Sequence, residues 1–176
     1  TWGESHGPAV GVVIDGCPPK IPLDESVVQA MLDRRKPGRS IASTSRKEAD
    51  QAKILSGVFE GMTTGTPIMM MVENKNIDSS AYEPYKEIYR PAHGDYTYQA
   101  KYGIRDWRGG GRASARETVG RVAAGAVAKA VLCRDNIDVF AFTRRLGDIE
   151  IQSFDRKVIE QNSFLCPDAE AAEEMT

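Results

Sequence analysis

The sequence is poor in the residues that build metal and redox centres. Its 176 residues include 2 histidines and 3 cysteines. Cys17, Cys133 and Cys166 are odd in number and widely separated, so no pair has the spacing of a zinc or thiol–disulfide motif. No metal site is expected, and unpaired thiols point to a reducing, cytoplasmic setting. Long hydrophobic runs are missing too. The longest, from Pro67 to Val72, is far below the roughly 20 residues that span a bilayer, so no membrane partner is expected. Neither sign of charge dominates: 23 basic against 25 acidic residues leave a net charge of −2. That argues against a dedicated nucleic-acid binder, although a local basic patch remains compatible. There is no internal repeat, no low-complexity tract and no recognisable leader peptide. The G-x-x-x-x-G-K-[ST] loop is absent, and so is a G-x-G-x-x-G opening a helix after a strand. Adjacency of Ser5 and His6 does not make a catalytic triad, and no paired catalytic carboxylates stand out.

What is present is the profile of one ordinary globular domain. Apolar residues make up 41 % and charged residues 27 %, which excludes a disordered tail, a collagen or a coiled coil. The length suffices for a real core. The chain opens at Thr1 rather than Met, and its last residues, from Asp168 to Met175, read as the first turns of a helix behind Pro167. Both ends are therefore expected to be cut, with the final element interrupted.

Val10 to Asp15 forms an apolar run of strand length, closed by Gly16 and Pro18-Pro19. Asp24 is placed to cap a helix over residues 25–35, in which Val28, Met31, Leu32 and Arg35 recur at helical spacing. Lys53 to Glu60 and Pro67 to Glu73 read as two strands joined by a Gly/Thr-rich turn. Residues 74–90 read as a loop. From Ser114 onward, Val119, Val122, Ala123, Ala126, Val127, Ala130 and Val131 trace one helical face. Val139 to Thr143 and Ile149 to Ile151 are candidate further strands. The mixture predicts an α+β or α/β class. The order is not a clean β-α-β alternation, so a Rossmann fold is not expected.

The densest chemistry lies in Arg108-Gly-Gly-Gly-Arg112-Ala-Ser114-Ala-Arg116-Glu117. Ser114 and Glu117 match a capping box. The glycines permit a tight turn with exposed N–H groups, and a helix N-terminus flanked by guanidinium forks suits phosphate or carboxylate. A plain capped helix beside a solvated loop is the bland alternative. Both histidines sit in glycine-marked segments, Gly3-Glu-Ser-His6-Gly7 and Arg90-Pro-Ala-His93-Gly-Asp95-Tyr96, where each is a candidate proton donor or acceptor. The basic stretch of residues 34–47 has three readings: a solvated loop, a nucleic-acid contact without the aromatics that stack bases, or a phosphate clamp.

Taken together, these segments resemble chorismate synthase. The likeness rests on Trp2-Gly-Glu-Ser-His-Gly7, Asp33-Arg-Arg-Lys-Pro-Gly38, Ile54-Leu-Ser-Gly-Val-Phe-Glu-Gly61, Thr64-Gly-Thr66, Arg90-Pro-Ala-His-Gly-Asp-Tyr96 and Gly109-Gly-Gly-Arg-Ala-Ser-Ala-Arg-Glu-Thr118. It runs over the whole chain and is weakest after about residue 135. Members are about twice this length, so the resemblance implies a single-domain fragment, residues 1–176, from the N-terminal part of a chorismate-synthase-like α+β fold with helices held between sheets.

The implied reaction is a 1,4-elimination of phosphate from 5-enolpyruvylshikimate 3-phosphate to give chorismate, a lyase step in aromatic amino acid biosynthesis. The implied cofactor is reduced FMN, with NAD(P)H only as a source of reducing equivalents, and the implied assembly is a homotetramer. Residue by residue, His6 matches the histidine that protonates the departing phosphate and His93 the one that protonates reduced flavin. Arg112, Ala113 and Ser114 match the FMN-contacting tripeptide. Arg35, Arg90 and Arg116 match arginines around the anionic substrate. The family has a further arginine where this chain has Ile41, and Arg39 is the candidate replacement. Ala113 stands where a serine hydroxyl is usual. The 176-residue chain alone is expected to be inactive and to bind flavin weakly. The competing reading is a non-catalytic anion- or RNA-binding module.

Overall fold

The structure, a computed structural model, describes residues 1–36, 49–75 and 77–176. They divide into two compact units, residues 1–36 with 49–137, and residues 138–176.

The first unit is organised by a four-stranded antiparallel sheet. Its strands are β1 (Trp2–Gly3), β2 (Ala9–Ile14), β3 (Ala52–Ser56) and β6 (Ile68–Glu73), in the order β1-β2-β6-β3. The apolar runs read from the sequence are thus β2 and β6, which pair from Ala9 with Glu73 to Ile14 with Ile68. Along β6, Ile68, Met70 and Val72 are buried and alternate with half-buried Met69 and Met71. That is the period of two expected of a sheet with one face on the core. The run expected to stay extended to Glu60 does not. A bulge after Ile54 interrupts β3, and Val58–Phe59 (β4) turns to pair with Met62–Thr63 (β5) in a separate hairpin.

Two helices cover the sheet. In α1 (Glu25–Arg35), Asp24 caps as expected, accepting from the N–H groups of Ser26 at 2.8 Å and Val27 at 3.1 Å. Its Val28 and Leu32 are fully buried. In α3 (Thr118–Cys133), the buried residues Val119, Ala123, Ala126 and Val127 follow the predicted helical face. This helix lies very close to the sheet, because a Cβ on Gly120 would stand 2.7 Å from the Gly11 carbonyl oxygen. One helix was not foreseen: α2 (Asp95–Tyr102), a polar segment closed by Gly103 in the left-handed conformation.

The second unit is smaller. Arg145–Leu146 (β7) and Ile149–Glu150 (β8) form a hairpin about Gly147, and α4 (Ala169–Glu174) follows Asp168. Asp168 is the organising residue. One of its oxygens accepts from the N–H groups of Gln152 and Ser153, the other from those of Glu170 and Ala171. These backbone bonds hold its carboxyl down at about 2. Cys166, Ala171, Ala172 and Met175 make a small core with Ile149, Ile151 and Phe164. The strand expected over Val139 to Thr143 does not form. Val139 and Phe140 are exposed, and among the described residues only the Thr143 N–H of this run has a backbone partner, the Leu165 carbonyl at 3.0 Å. An apolar run without a neighbouring edge to pair with is not a strand. Among the described residues, no helix is long and apolar enough to cross a membrane.

The close approach of α3 to β2 yields a test. Gly120→Val is expected to lower unfolding stability by about 1–3 kcal/mol, because a branched side chain must push the helix from the sheet. Urea denaturation of the two proteins measures it, and an unchanged midpoint contradicts the packing described.

Candidate functional site

The Arg-Gly-Gly-Gly-Arg segment forms a tight turn rather than a regular helix. Gly109, Gly110 and Gly111 all have positive φ, at 58°, 84° and 50°, a region costly for other residues. Each glycine faces one functional group. A Cβ at Gly109 would lie 2.3 Å from Nε2 of His6. At Gly110 it would lie 2.9 Å from Cε1 of His93, and at Gly111 it would lie 3.0 Å from Oε2 of Glu4. The turn therefore brings together the two candidate histidines, which are 87 residues apart in sequence.

The His6 loop is pinned from three sides. The Ser5 hydroxyl donates to the Gly109 carbonyl at 3.0 Å. The Asn74 side-chain amide donates to the Glu4 and Gly7 carbonyls at 3.0 and 2.8 Å. Nδ1 of His6 lies 2.8 Å from the Ser79 hydroxyl, and the ring meets Tyr82 edge-on at 5.2 Å. Since Nδ1 is engaged with Ser79, Nε2 is the nitrogen turned to the glycine wall.

His93 belongs to the turn that enters α2. Beside it, Arg90 donates through Nε and Nη2 to the two oxygens of Asp95, each at 2.9 Å, in the fork geometry of a strong pair. The guanidinium also lies over the rings of Tyr82 and Tyr85, at 5.6 and 5.5 Å. Arg90 lowers the Asp95 carboxyl from its ordinary 3.8 to about 2.

The other arginines are also engaged. Arg116 is buried, with Nε donating to the Asn74 side-chain oxygen at 2.8 Å and Nη1 to Asp50 in a very short contact. Arg35 donates to the other oxygen of Asp50 at 3.1 Å, so one fully buried carboxylate bridges two guanidiniums. Nη2 of Arg116 is buried and has no hydrogen-bond partner. Arg112 binds the start of the chain, donating to the carbonyls of Gly3 and Thr1, and pairs with Glu117 at 2.9 Å. The capping box is thus half formed. The Ser114 hydroxyl accepts from the Arg116 N–H at 3.3 Å, whereas Glu117 turns away to the Arg112 guanidinium. The charge of Arg112 outcompetes a neutral N–H for that carboxylate. Arg39 lies outside the described residues.

Arg112 and Ala113 line a cavity of about 680 Å³ together with Gly110, Trp107, Tyr98 and Glu4. That is within the usual range for sites that take organic ligands, about 300–1,000 Å³. Its lining mixes aromatic faces with the charged residues Glu4 and Arg105, each of which also has a buried polar atom without a partner, Oε2 and Nη1. Ser114, His6 and His93 do not line it. Sequence reasoning missed Tyr82, Asp50 and Asn74 as site-building residues, because each acts on partners remote in the chain. Asp95 lay inside the quoted Arg90–Tyr96 motif, and an acid five residues from an arginine in a glycine-marked turn was its only local signal.

The chorismate synthase family profile matches residues 1–176. A chorismate synthase from Desulfatibacillum aliphaticivorans is 62 % identical over 175 residues, covering 99 % of this chain and 49 % of the relative. One from Desulfosudis oleivorans is 64 % identical over 177 residues, covering all of this chain and 50 % of the relative. A crystal structure of chorismate synthase superposes with a TM-score of 0.75 at 29 % identity, over 98 % of this chain and 49 % of that one. The chain spans about half the length of the curated relatives it matches. The α+β class expected from the sequence agrees with this likeness.

Two outcomes follow from the geometry. The folded-state pKa of Asp95 is depressed, so its contribution to stability is complete above about pH 4 and disappears as pH falls toward 2. Asp95→Asn should lose stability at pH 6 and show less further loss between pH 4 and pH 2 than the parent, as followed by thermal unfolding. Gly109→Ala should displace the His6 ring, visible as a large change in its imidazole NMR signals; an unaltered His6 spectrum contradicts the contact.

Proposed function

The chain belongs to the chorismate synthase family, and on that premise we propose that it carries the two proton-handling histidines of the 1,4-elimination that turns 5-enolpyruvylshikimate 3-phosphate into chorismate. The observation that carries this reading is the glycine turn that holds His6 and His93 against adjacent residues. In the elimination, the carbon–oxygen bond to phosphate breaks, a ring proton is lost and a double bond forms. His6, with Nδ1 oriented by Ser79, holds a proton on Nε2 for the departing phosphate oxygen. His93 holds a proton on the other side of Gly110, beside the cavity.

FMN fits that cavity on three grounds. Trp107, Tyr98 and Tyr102 offer flat aromatic walls, the volume suits an organic ligand, and the Glu4 and Arg105 side chains add polar groups to the lining. Arg112 and Ala113 would hold it through backbone and apolar atoms, since the Arg112 guanidinium is engaged elsewhere. Reduced flavin, when bound, would supply electron density transiently with no net redox change, and NAD(P)H would serve only to keep it reduced.

The substrate brings a phosphate and two carboxylates. Arg35 and Arg116, held together by one shared carboxylate, are the arginines placed to meet those anions. Arg90, neutralised by Asp95 and braced on two tyrosines, positions rather than attracts. A non-catalytic anion- or RNA-binding module is disfavoured, because the chain belongs to an enzyme family and its two histidines converge on one glycine turn. The setting is cytoplasmic and the complete assembly a homotetramer, as in the family.

The test is an anaerobic assay with reduced FMN and 5-enolpyruvylshikimate 3-phosphate, following chorismate absorbance. The 176 residues assayed alone are expected to give no turnover. The same residues joined to the second half of the Desulfosudis oleivorans relative are expected to give chorismate. In that joined protein, His6→Ala and His93→Ala should each lower kcat by about 10²–10⁴-fold with little change in KM. Silence of the joined protein overturns the reading.

A further inference from the structure

Asn74 is a buried polar residue to which the elimination described above gives no part. It follows β6, and its N–H donates to the Pro8 carbonyl at 3.0 Å. Its side chain faces the turn Glu4–Gly7, which is closed by the Gly7 N–H on the Glu4 carbonyl at 3.0 Å and carries His6 at its third position. The amide nitrogen donates to both ends of that turn, to the Glu4 carbonyl at 3.0 Å and to the Gly7 carbonyl at 2.8 Å. The amide oxygen accepts from Nε of Arg116 at 2.8 Å.

Only one orientation of this amide satisfies its neighbours. A guanidinium donates and never accepts, and a backbone carbonyl accepts and never donates. Rotating the amide by half a turn would set its NH2 group against Arg116 and its oxygen against two carbonyls. Arg116 is itself fixed by the fully buried carboxylate of Asp50. Constraint therefore passes from Asp50 to Arg116, from Arg116 to Asn74, and from Asn74 to the backbone on both sides of His6. That backbone sets where the Cβ of His6 points, and Ser79 and Gly109 confine the ring beyond it.

We propose that Asn74 is a positioning residue of the elimination, whose amide, oriented by Arg116, aims the His6 turn so that Nε2 of His6 meets the departing phosphate oxygen. The inference rests on the proton-donor reading of His6 and deepens it. Displacing a reacting group by about 1 Å costs on the order of 10²-fold in rate, so a clamp on the backbone of the donor is a rate determinant although none of its bonds involves the imidazole. Asn74→Asp separates the two sides of the amide. The introduced carboxylate still accepts from Arg116, whose charge holds it ionised. It has no hydrogen to give the turn, and it repels both carbonyls.

The experiment is a double-mutant cycle of Asn74→Asp against His6→Ala, run in the same joined protein and assay. Asn74→Asp alone should lower kcat about 10²-fold and change KM less than about threefold, because Arg116 keeps its acceptor. Added to His6→Ala, it should lower kcat by less than about twofold, because no proton donor is left to aim. A merely structural role lowers kcat by the same factor in both backgrounds, and that result overturns the proposal. So does a single variant with the kcat of the parent, or one altered in KM alone. If Asn74→Asp does not fold, Asn74→Ser, too short to reach both ends of the turn, goes through the same cycle with the same outcomes. The 176-residue chain gives a readout that needs no turnover. There Asn74→Asp should shift the His6 imidazole NMR signals, and unmoved signals overturn the inference. Turnover by the joined parent with an additive cycle sinks this inference alone, whereas silence of the joined parent sinks the elimination reading with it.

Discussion

Three successive residues without a Cβ hold this site together. The turn at Gly109–Gly111 runs through left-handed backbone, and each glycine leaves room for one functional side chain: His6, then His93, then Glu4. No larger residue permits those approaches. Glycine is entropically costly to order, and the turn is stiffened by contacts from outside it. Ser5 accounts for one of them, and Arg112, anchored on Thr1, Gly3 and Glu117, for another. The site is thus a property of a close backbone approach more than of any one reactive group.

Around that turn, charge is arranged in matched sets. Arg90 and Asp95 neutralise each other, while Arg35 and Arg116 share Asp50. A buried guanidinium without a partner would be very costly, and pairing lets it sit in a low-dielectric site at full charge. Asn74 joins the two halves of the arrangement. Its side-chain oxygen accepts from Arg116 and its amide holds the His6 loop, so the arginine cluster and the His6 loop are tied by one set of hydrogen bonds.

Much of the fold was legible locally. Asp24 before an apolar helical repeat gave α1, and the Val/Ala repeat after Ser114 gave α3, because capping and periodicity act within a turn or two. Helix α2 escaped because Asp95–Tyr102 has no apolar stripe, and its start is a glycine without a capping side chain. The run at Val139 to Thr143 misled for the opposite reason. Its composition suits a strand, but strand formation depends on a partner edge that no local rule supplies. The same division holds in the site. His6, His93 and the glycine triplet announce themselves by type and context. Asp50, Asn74 and Tyr82 do not, since an aspartate 66 residues from its arginine looks like any other surface acid.

By itself, then, the sequence determined the elements with short-range causes, the histidines and glycines of the site, and the family to which they belong. It did so because backbone conformation, capping and side-chain chemistry are properties of a residue and its immediate neighbours. Only the tertiary structure decided which arginine meets which carboxylate, that Glu117 turns to Arg112 instead of back to its own helix, and that Oε2 of Glu4 is buried against Gly111 without a partner. Those outcomes depend on distances between segments far apart in the chain. Coulombic pairing and desolvation are settled by such distances, and they come into being only when the sheet, its helices and the glycine turn have closed on one another.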